Sequence, residues 1–254
     1  MNFYLSEIPE RTQKPRENGL TMMMDKGLSI NDTKNFIDMC GPYTDIVKLG
    51  FGTSAISPHI ETKIKLYKDA GLSVYLGGTL FEAFIIRGMF KEYKDLNRKW
   101  GLDMCEVSDG SIKISHEKKC NYIKELAKEF KVVSEVGSKD ETKLIAPYRW
   151  IELMQKELEA GAWKVIAEAR EGGNVGIYNK SGDVRSDLID EILTKISNDD
   201  ILWEAPKKPQ QVWFIKQLGT NVNLGNIAWD EVIPLETLRI GLRGDTFFDY
   251  INQR

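Results

Sequence analysis

The chain has 254 residues, of which 42% are hydrophobic, and its formal net charge is −3. That length suits one (β/α)8 barrel, which typically has about 250 residues, and the slight negative charge gives no general attraction to nucleic acid. Only two histidines are present, which excludes a histidine-rich metal site. Any catalysis is therefore expected to depend on Lys, Arg, Asp and Glu side chains, together with a hard cation.

No segment of the sequence approaches the roughly 20 consecutive apolar residues that cross a bilayer, so no membrane partner is expected. The first 19 residues are polar and charged, unlike the apolar core of a signal peptide. The cysteines Cys40, Cys105 and Cys120 are odd in number and lack metal-ligand spacing, which is typical of reduced thiols. These features together predict a cytoplasmic protein.

One pattern occurs eight times along the chain: a short apolar run ends in a polar residue or a glycine, and a helical segment follows. Continuous apolar runs are typical of buried parallel strands, and their alternation with helices predicts right-handed βαβ crossovers. The runs comprise residues 20–24, 46–47, 74–76, 104–105, 132–134, 165–167, 201–203 and 222. We therefore predict a single (β/α)8 TIM-type barrel domain over residues 1–254, either regular or a variant with modified helices.

Helical segments fill the intervals between these runs. They are predicted at residues 31–40, 57–70, 81–100, 115–130, 146–160, 186–196, 209–218 and 226–240. The segment 81–100 is expected to be the longest helix, and Pro234 is expected to break the last one. An open, doubly wound sheet is the alternative fold. Against it, Asp25-Lys26-Gly27-Leu28 follows the first run, where a dinucleotide-binding sheet carries its glycine fingerprint.

One connection is richer in glycine than the others. Residues 170–182 contain four glycines and end in the turn Asn179-Lys180-Ser181-Gly182. Such a composition predicts a small hairpin or flap over the barrel mouth, and a loop in that place is suited to act as a mobile lid.

The polar residues at the ends of the apolar runs form a mixed ring of charges. Catalytic groups of (β/α)8 barrels lie at the carboxyl ends of the strands, so these residues are the candidates for a site. The acids are Asp25, Glu82, Glu106, Asp109, Glu135, Glu168, Glu171 and Glu204, and the cations are Lys26, Lys48, Lys139, Arg170 and Lys207. Each alone is also explained as a solvated loop residue or a helix cap. Together, the carboxylates suit Mg2+ and the cations suit an anionic substrate.

The turn Asn223-Leu224-Gly225-Asn226 follows the last run and suggests a phosphate site, because barrels commonly bind phosphate there. A phosphorylated, acidic small molecule with Mg2+ is therefore the expected ligand class. The reaction itself does not follow from these residues.

An ordered set of motifs resembles the phosphosulfolactate synthase family, which serves coenzyme M biosynthesis and has bacterial relatives. The motifs include Arg16-Glu-Asn-Gly-Leu-Thr, Lys48-Leu-Gly-Phe-Gly-Thr-Ser-Ala, Gly77-Gly-Thr-Leu-Phe-Glu82, Glu106-Val-Ser-Asp-Gly110, Glu135-Val-Gly-Ser-Lys139, Glu168-Ala-Arg-Glu171 and Leu242-Arg-Gly-Asp-Thr246. The resemblance implies a Mg2+-dependent variant barrel that forms oligomers. It also implies a carbon–sulfur lyase that adds sulfite to phosphoenolpyruvate and gives (2R)-phospho-3-sulfolactate.

The resemblance also implies roles for individual residues. Lys139 matches the lysine of the family's Glu-Val-Gly-x-Lys motif and is expected to be the general acid. Lys48 and Arg170 are expected to bind the phosphate, carboxylate or sulfite groups. Further substrate-binding candidates are Lys26, Thr53, Ser54, Asn223, Gly225 and Asn226, and the candidate metal ligands are Asp25, Glu106, Glu135 and Glu168. Arg243 follows the last helix towards the opposite face, so it is left out of the site.

Two other readings stay open at this point. The first is another barrel enzyme of phosphorylated small molecules, such as an aldolase that uses Lys48 or Lys139 as a Schiff-base nucleophile. The second is a non-catalytic, stress-associated relative.

Overall fold

The computed structural model describes residues 2–137, 145–169 and 172–251. Within them, eight parallel strands form one sheet in the order β3-β2-β1-β8-β7-β6-β5-β4, so that the ends β3 and β4 face each other across a nearly closed barrel. The strands are β1 (Thr21–Asp25), β2 (Ile46–Leu49), β3 (Ser73–Leu76), β4 (Met104–Val107), β5 (Lys131–Val136), β6 (Lys164–Ala167), β7 (Ile201–Glu204) and β8 (Leu224–Ala228). The predicted (β/α)8 barrel is confirmed.

The helices alternate with the strands and cover the outside of the barrel. They are α1 (Ile30–Cys40), α2 (Ile60–Asp69), α3 (Gly78–Ile85), α4 (Phe90–Lys99), α5 (His116–Leu126), α6 (Pro147–Glu159), α7 (Ser186–Leu193), α8 (Lys208–Leu218), α9 (Val232–Arg239) and α10 (Phe247–Tyr250). No helix in the described part of the chain is long and apolar enough to span a membrane.

Two helix predictions are wrong in their boundaries. The segment 81–100 is not one long helix but two, because Gly88 adopts a left-handed backbone (φ 71°) and the Met89 amide bonds back to the Phe84 carbonyl, which ends α3. Pro234 does not break the last helix. It lies in the first turn of α9, where its missing N–H would have no partner in the helix anyway.

The barrel interior changes from apolar to charged along the strands. An apolar cluster fills its lower part: Leu20, Met22, Ile46, Tyr75, Met104, Val133, Ile166 and Leu202. Every second side chain of a strand points to the same face, so the residues two positions further on enter the barrel above this cluster. They are Lys48, Glu106, Glu135, Glu168 and Glu204, all buried. The fold thus brings five charges together at the carboxyl ends of five strands.

Polar groups close the opposite end of the barrel, which we call the base. The fully buried Arg239 guanidinium donates to the carbonyls of Thr220 and Val222 at 2.7 Å and to that of Leu20 at 3.1 Å. Arg16 Nη2 forms an ion pair with Asp45 at 2.9 Å. The Arg16 motif of the sequence therefore holds the N-terminal segment across the base and takes no part in the mouth.

Candidate active site

A cavity of about 390 Å³ opens at the carboxyl ends of the strands, within the size range of small-molecule sites. Its wall combines charged side chains with the apolar side chains of Met24 and Phe51. The lining residues are Met24, Lys48, Phe51, Gly77, Gly78, Thr79, Glu106, Glu135, Glu168, Gly172, Asn174, Glu204 and Asn226. The cavity lies where (β/α)8 barrels place their chemistry.

Lys48 is the cation of this cavity among the described residues. Its Nζ lies 2.9 Å from Glu106 Oε2, 3.5 Å from Glu135 Oε2 and 3.6 Å from Glu204 Oε1. Burial acts to lower the pKa of Lys48, but its neighbours, Glu106 foremost, outweigh burial and hold that pKa well above its ordinary value. The side chain is therefore a fixed ammonium, held by acids on three strands.

The Gly77-Gly78 pair allows helix α3 to approach strand β4 closely. The Gly78 amide donates to Glu106 Oε1 at 2.9 Å. A Cβ atom on Gly78 would collide with that same oxygen and with the Ser108 side chain. A glycine is therefore needed here so that the helix N-terminus can hold the Glu106 carboxylate.

The segment after β6 covers one side of the cavity. Gly172 and Asn174 line it, and Tyr178 is bridged to Val184 in a short antiparallel hairpin, which agrees with the predicted hairpin over the mouth. Tyr178 is buried, and its hydroxyl donates to the Glu204 carbonyl at 2.6 Å. This part of the segment is therefore packed onto the end of β7.

Asn226 enters the cavity through an irregularity in β8. Thr21 pairs with Leu224 but Met23 pairs with Ile227, so β8 has one more residue than β1 in this interval. Asn226 has a left-handed backbone (φ 56°), which Asn tolerates better than most residues. Bulges of this kind commonly redirect a side chain next to an active site.

Several predicted site residues do come together. Lys48, Glu106, Glu135, Glu168 and Asn226 all line the one cavity. Lys139 and Arg170 lie outside the described residues, so their assigned roles stay predictions.

The structure does not support Asp25 as a metal ligand. Its buried carboxylate accepts hydrogen bonds from the amides of Gly27 at 2.7 Å and Leu28 at 2.9 Å, from Tyr67 Oη at 2.9 Å and from Lys63 Nζ, which also lies 2.8 Å away in an ion pair. These donors come from its own loop and from α2. Asp25 therefore shapes the loop after β1 and does not line the cavity.

The structure does not bring Asn223 and Gly225, two predicted substrate-binding residues, into the cavity. Asn223 lies before β8, at the base, where Oδ1 accepts from the Leu20 amide and Nδ2 donates to the Ile201 carbonyl, both at 3.1 Å. Gly225 is packed inside the barrel, where a Cβ would come within 2.7 Å of Met22 Cε. A polar residue before a strand looks the same in sequence as one after it, so the strand was placed too early.

Lys26, Thr53 and Ser54 lie near the mouth but do not line the cavity. Lys26 Nζ is 5.7 Å from the centre of the Phe51 ring, and that ring does line it. Thr53 Oγ1 donates to the Gly50 carbonyl at 2.8 Å, and Ser54 is buried. Thr53 and Ser54 are therefore structural parts of the loop after β2.

Sequence reasoning placed Glu204 in the ring of charges without an individual role, and it assigned no role to Phe51, Thr79 or Asn174. Glu204 carried a usable signal, because Leu202-Trp203-Glu204 repeats the spacing of Met104-Cys105-Glu106. Phe51 has a left-handed backbone (φ 54°), which is uncommon for an aromatic residue and cannot be read from sequence. Thr79 and Asn174 gave no signal.

The carboxylates provide the right chemistry for a hard cation but not a complete set of ligands. Across residues 2–137, 145–169 and 172–251, no three Asp, Glu, His or Cys side chains are grouped as a ready metal site. Mg2+ usually takes only one or two carboxylates and completes its shell with water and substrate phosphate. The site thus fits a metal that is held jointly by the protein and its substrate.

The fold and the cavity define a (β/α)8 barrel with a charged small-molecule site at the carboxyl ends of its strands. A family model described as (2R)-phospho-3-sulfolactate synthase (ComA) matches residues 9–245, and the chain belongs to this phosphosulfolactate synthase family. The chain is 41% identical to the phosphosulfolactate synthase of Bacillus subtilis, over 98% of this chain and 100% of the relative. It is 45% identical to that of Methanocaldococcus jannaschii, over 91% and 94%.

A solved barrel, 3-hexulose-6-phosphate synthase from Salmonella typhimurium, matches with a TM-score of 0.54 and 18% identity, over 88% of this chain and 100% of that one. At that identity the likeness supports the fold alone.

Proposed function

We propose that this protein is a carbon–sulfur lyase that adds sulfite to phosphoenolpyruvate and forms (2R)-phospho-3-sulfolactate. The observation that carries the proposal is the charged Lys48 fixed among glutamates in a cavity at the carboxyl ends of the strands. Membership of the phosphosulfolactate synthase family supports the choice of substrates. We also infer that the protein acts in the cytoplasm as a homo-oligomer.

The reaction joins two anions without loss of any atom. The sulfite sulfur attacks the methylene carbon of phosphoenolpyruvate and forms the C–S bond. The electron pair of the C=C bond moves towards the carboxylate and gives an enediolate. A proton is then added to the neighbouring carbon, which keeps its phosphate. The enzyme must therefore bring anions together, stabilise the enediolate and supply one proton.

Lys48 helps to bring the two anionic substrates together. Two anions repel each other strongly in a site with little water, and a fixed cation between them offsets that repulsion. Because Glu106, Glu135 and Glu204 keep the pKa of Lys48 high, the ammonium is present before substrate binds. We assign Lys48 to the phosphate or carboxylate group of phosphoenolpyruvate, where it also favours the charged enediolate.

The carboxylates of the cavity require further positive charge when an anionic substrate binds. Four glutamates but only one lysine line the cavity among the described residues. Glu135 and Glu168, on neighbouring strands, would hold Mg2+ together with the substrate, and the bound ion would stabilise negative charge on the enediolate. Glu106 and Glu204 instead bond to the amides of Gly78 and Ala169 as parts of the wall.

The sequence supplies the remaining groups. We assign Lys139 to donate the proton that completes the product, and Arg170 to bind an anionic group bidentately. Both residues lie outside the described parts of the chain, so their assignments rest on the family motifs alone.

The direct test is to incubate the protein with phosphoenolpyruvate and sulfite, with and without Mg2+. We expect both substrates to disappear together and phosphosulfolactate to appear by ³¹P and ¹³C NMR, with loss of activity after chelation and recovery when Mg2+ is restored. Absence of the product at all sulfite concentrations rejects the proposal. Turnover that survives exhaustive chelation rejects the role of the metal.

A Schiff-base aldolase that uses Lys48 as its nucleophile is disfavoured by the charge state of that lysine. A Schiff base needs a neutral amine as nucleophile, whereas the surrounding acids keep the pKa of Lys48 high and its side chain protonated. Borohydride treatment in the presence of a phosphorylated ketone such as dihydroxyacetone phosphate, which has the carbonyl that a Schiff base needs, is expected to leave the protein unmodified. A covalent lysine adduct detected by mass spectrometry would favour the aldolase instead.

A further inference from the structure

A buried ion cluster lies behind strand β5, on the side that faces helices α5 and α6. Lys119 Nζ lies 2.9 Å from Glu157 Oε1 and 3.0 Å from Asp109 Oδ1. The same ammonium donates to the backbone carbonyl of Glu135 at 2.6 Å. The three N–H groups of the Lys119 ammonium are therefore directed at the Glu157 carboxylate in α6, at the Asp109 carboxylate in the loop after β4 and at the backbone carbonyl of Glu135. The side chain of Glu135 lines the cavity.

Glu157 reaches the same strand one residue earlier. Its Oε2 accepts from Ser134 Oγ at 2.6 Å, and its Oε1 lies 3.1 Å from His116 Nε2. Neighbouring residues of a strand point to opposite faces, so Ser134 faces the helices while Glu135 faces the cavity. The cluster therefore bonds to Ser134 and to the backbone of Glu135 from the side of β5 that faces the helices.

Stability alone gives little reason for such a cluster. Lys119 and Glu157 are almost completely buried, and replacing a buried ion pair with apolar residues is often neutral or stabilising. Burial acts to lower the pKa of Lys119, but Glu157 and Asp109 outweigh it and raise that pKa. Burial acts to raise the pKa of Glu157, but Lys119, His116 and Ser134 lower it. The pair therefore stays ionised and its geometry stays fixed.

We propose that Lys119 and Glu157 are positioning residues that fix the carboxyl end of β5 and so direct the Glu135 carboxylate into the cavity. The inference rests on the proposed function, in which Glu135 helps to hold Mg2+. Because Lys119 also binds Asp109 in the loop after β4, the same pair sets the spacing between two neighbouring strand ends of the site.

The first experiment separates positioning from stability. The double variant Lys119→Met/Glu157→Leu replaces the ion pair with apolar side chains, and we expect its Tm to stay within a few degrees of the wild type. We expect kcat to fall about 100-fold, the scale of a small misplacement in an active site. Wild-type values of both Tm and kcat in the double variant would show that the pair is needed neither for stability nor for the site, and would overturn the proposal.

The second experiment asks whether the loss acts through Glu135. In a Glu135→Gln background, adding Lys119→Met should lower kcat no further, because the positioned carboxylate is already gone. Additive losses would overturn the proposal. Arg11→Met is the control, since Arg11 pairs with Glu236 at the base, 2.9 Å away; any effect it has should be the same with and without Glu135. If the double variant or Lys119→Met does not fold, the milder Glu157→Gln replaces it in the same measurements.

Wild-type turnover with phosphoenolpyruvate and sulfite is measured first. The proposed function and the positioning role of Lys119 and Glu157 are then tested by different results. Absence of turnover rejects the proposed function. Crystal structures of the wild type and the double variant then test the positioning role. A displaced Glu135 carboxylate supports it, and an unchanged one overturns it.

Discussion

The two ends of this barrel both carry buried charges, but the charges meet different partners. At the base, Arg239 donates to three backbone carbonyls and Arg16 pairs with Asp45. At the mouth, Lys48 lies among the carboxylates of Glu106, Glu135 and Glu204 beside a cavity. At the base each charge bonds to backbone carbonyls or pairs with one partner of opposite sign, whereas at the mouth one ammonium is shared by three carboxylates beside the space that a substrate would fill.

This difference shows how to separate folding from function among polar residues that look alike in sequence. Asn223 and Asn226 are three positions apart, yet the first bonds to backbone groups at the base and the second lines the cavity. A polar residue whose hydrogen bonds go to the backbone of the barrel is part of the fold. One that shares its partners with other side chains at the mouth is a candidate for the chemistry.

The largest effect is expected at the mouth, from Lys48→Met. Removing the ammonium leaves the substrate anions without their fixed cation, and we expect kcat/KM to fall about 10³-fold, the upper scale for loss of one preorganised charge. The matched control is Lys164→Met, which removes a buried lysine bonded to the Asp199 carbonyl at the base. Steady-state kinetics should show its kcat/KM within about threefold of the wild type. Equal losses in both variants would remove the distinction between the two ends.

The converse experiment is Arg239→Met at the base. Three backbone carbonyls each lose the hydrogen bond from the guanidinium, and at about 1 kcal/mol for each bond we expect the free energy of unfolding to fall by about 3 kcal/mol. Urea denaturation measures this loss, and kcat per folded molecule should be unchanged. Arg98→Met, on the partly exposed surface, is the control and should change stability by less than about 0.5 kcal/mol. A drop in kcat with the fold intact would place the base within the functional site.

The sequence predicted where the mouth of the barrel lies better than it predicted the roles of individual residues there. Continuous apolar runs located seven of the eight strands, and the polar ends of those runs placed Glu106, Glu135 and Glu168 at the mouth. The start of β8 was misplaced because a polar residue marks either end of a strand equally well. Asp25 was misassigned because its partners Lys63 and Tyr67 come from α2, which no local pattern reveals. The identity of sulfite came from family motifs, since residue spacing carries no such information.

A smaller effect is expected where the backbone of the mouth is most crowded, at Gly78. In Gly78→Ala, the added Cβ must displace both the Glu106 carboxylate and the Ser108 side chain. We expect kcat to fall about tenfold because Glu106 also holds Lys48. Gly244→Ala is the matched control, because a Cβ there meets nothing within 4 Å. If Gly78→Ala keeps full activity, the close approach of α3 to β4 matters only for packing.

The smallest effect separates backbone from side chain at Asn226. Asn226→Gly and Asn226→Ala both remove the amide from the cavity, but only Ala is strained by the left-handed backbone (φ 56°). We expect the Ala variant to be less stable than the Gly variant by about 1 kcal/mol, while both raise KM to the same extent, about threefold to tenfold. Thermal denaturation and initial rates measure the two quantities independently.

Since Asn223 at the base bonds three backbone groups, Asn223→Ala should show the opposite profile, with lower stability and unchanged KM. If KM rises in Asn223→Ala as well, the two ends of β8 are coupled, and the division between folding at the base and chemistry at the mouth does not hold for this strand.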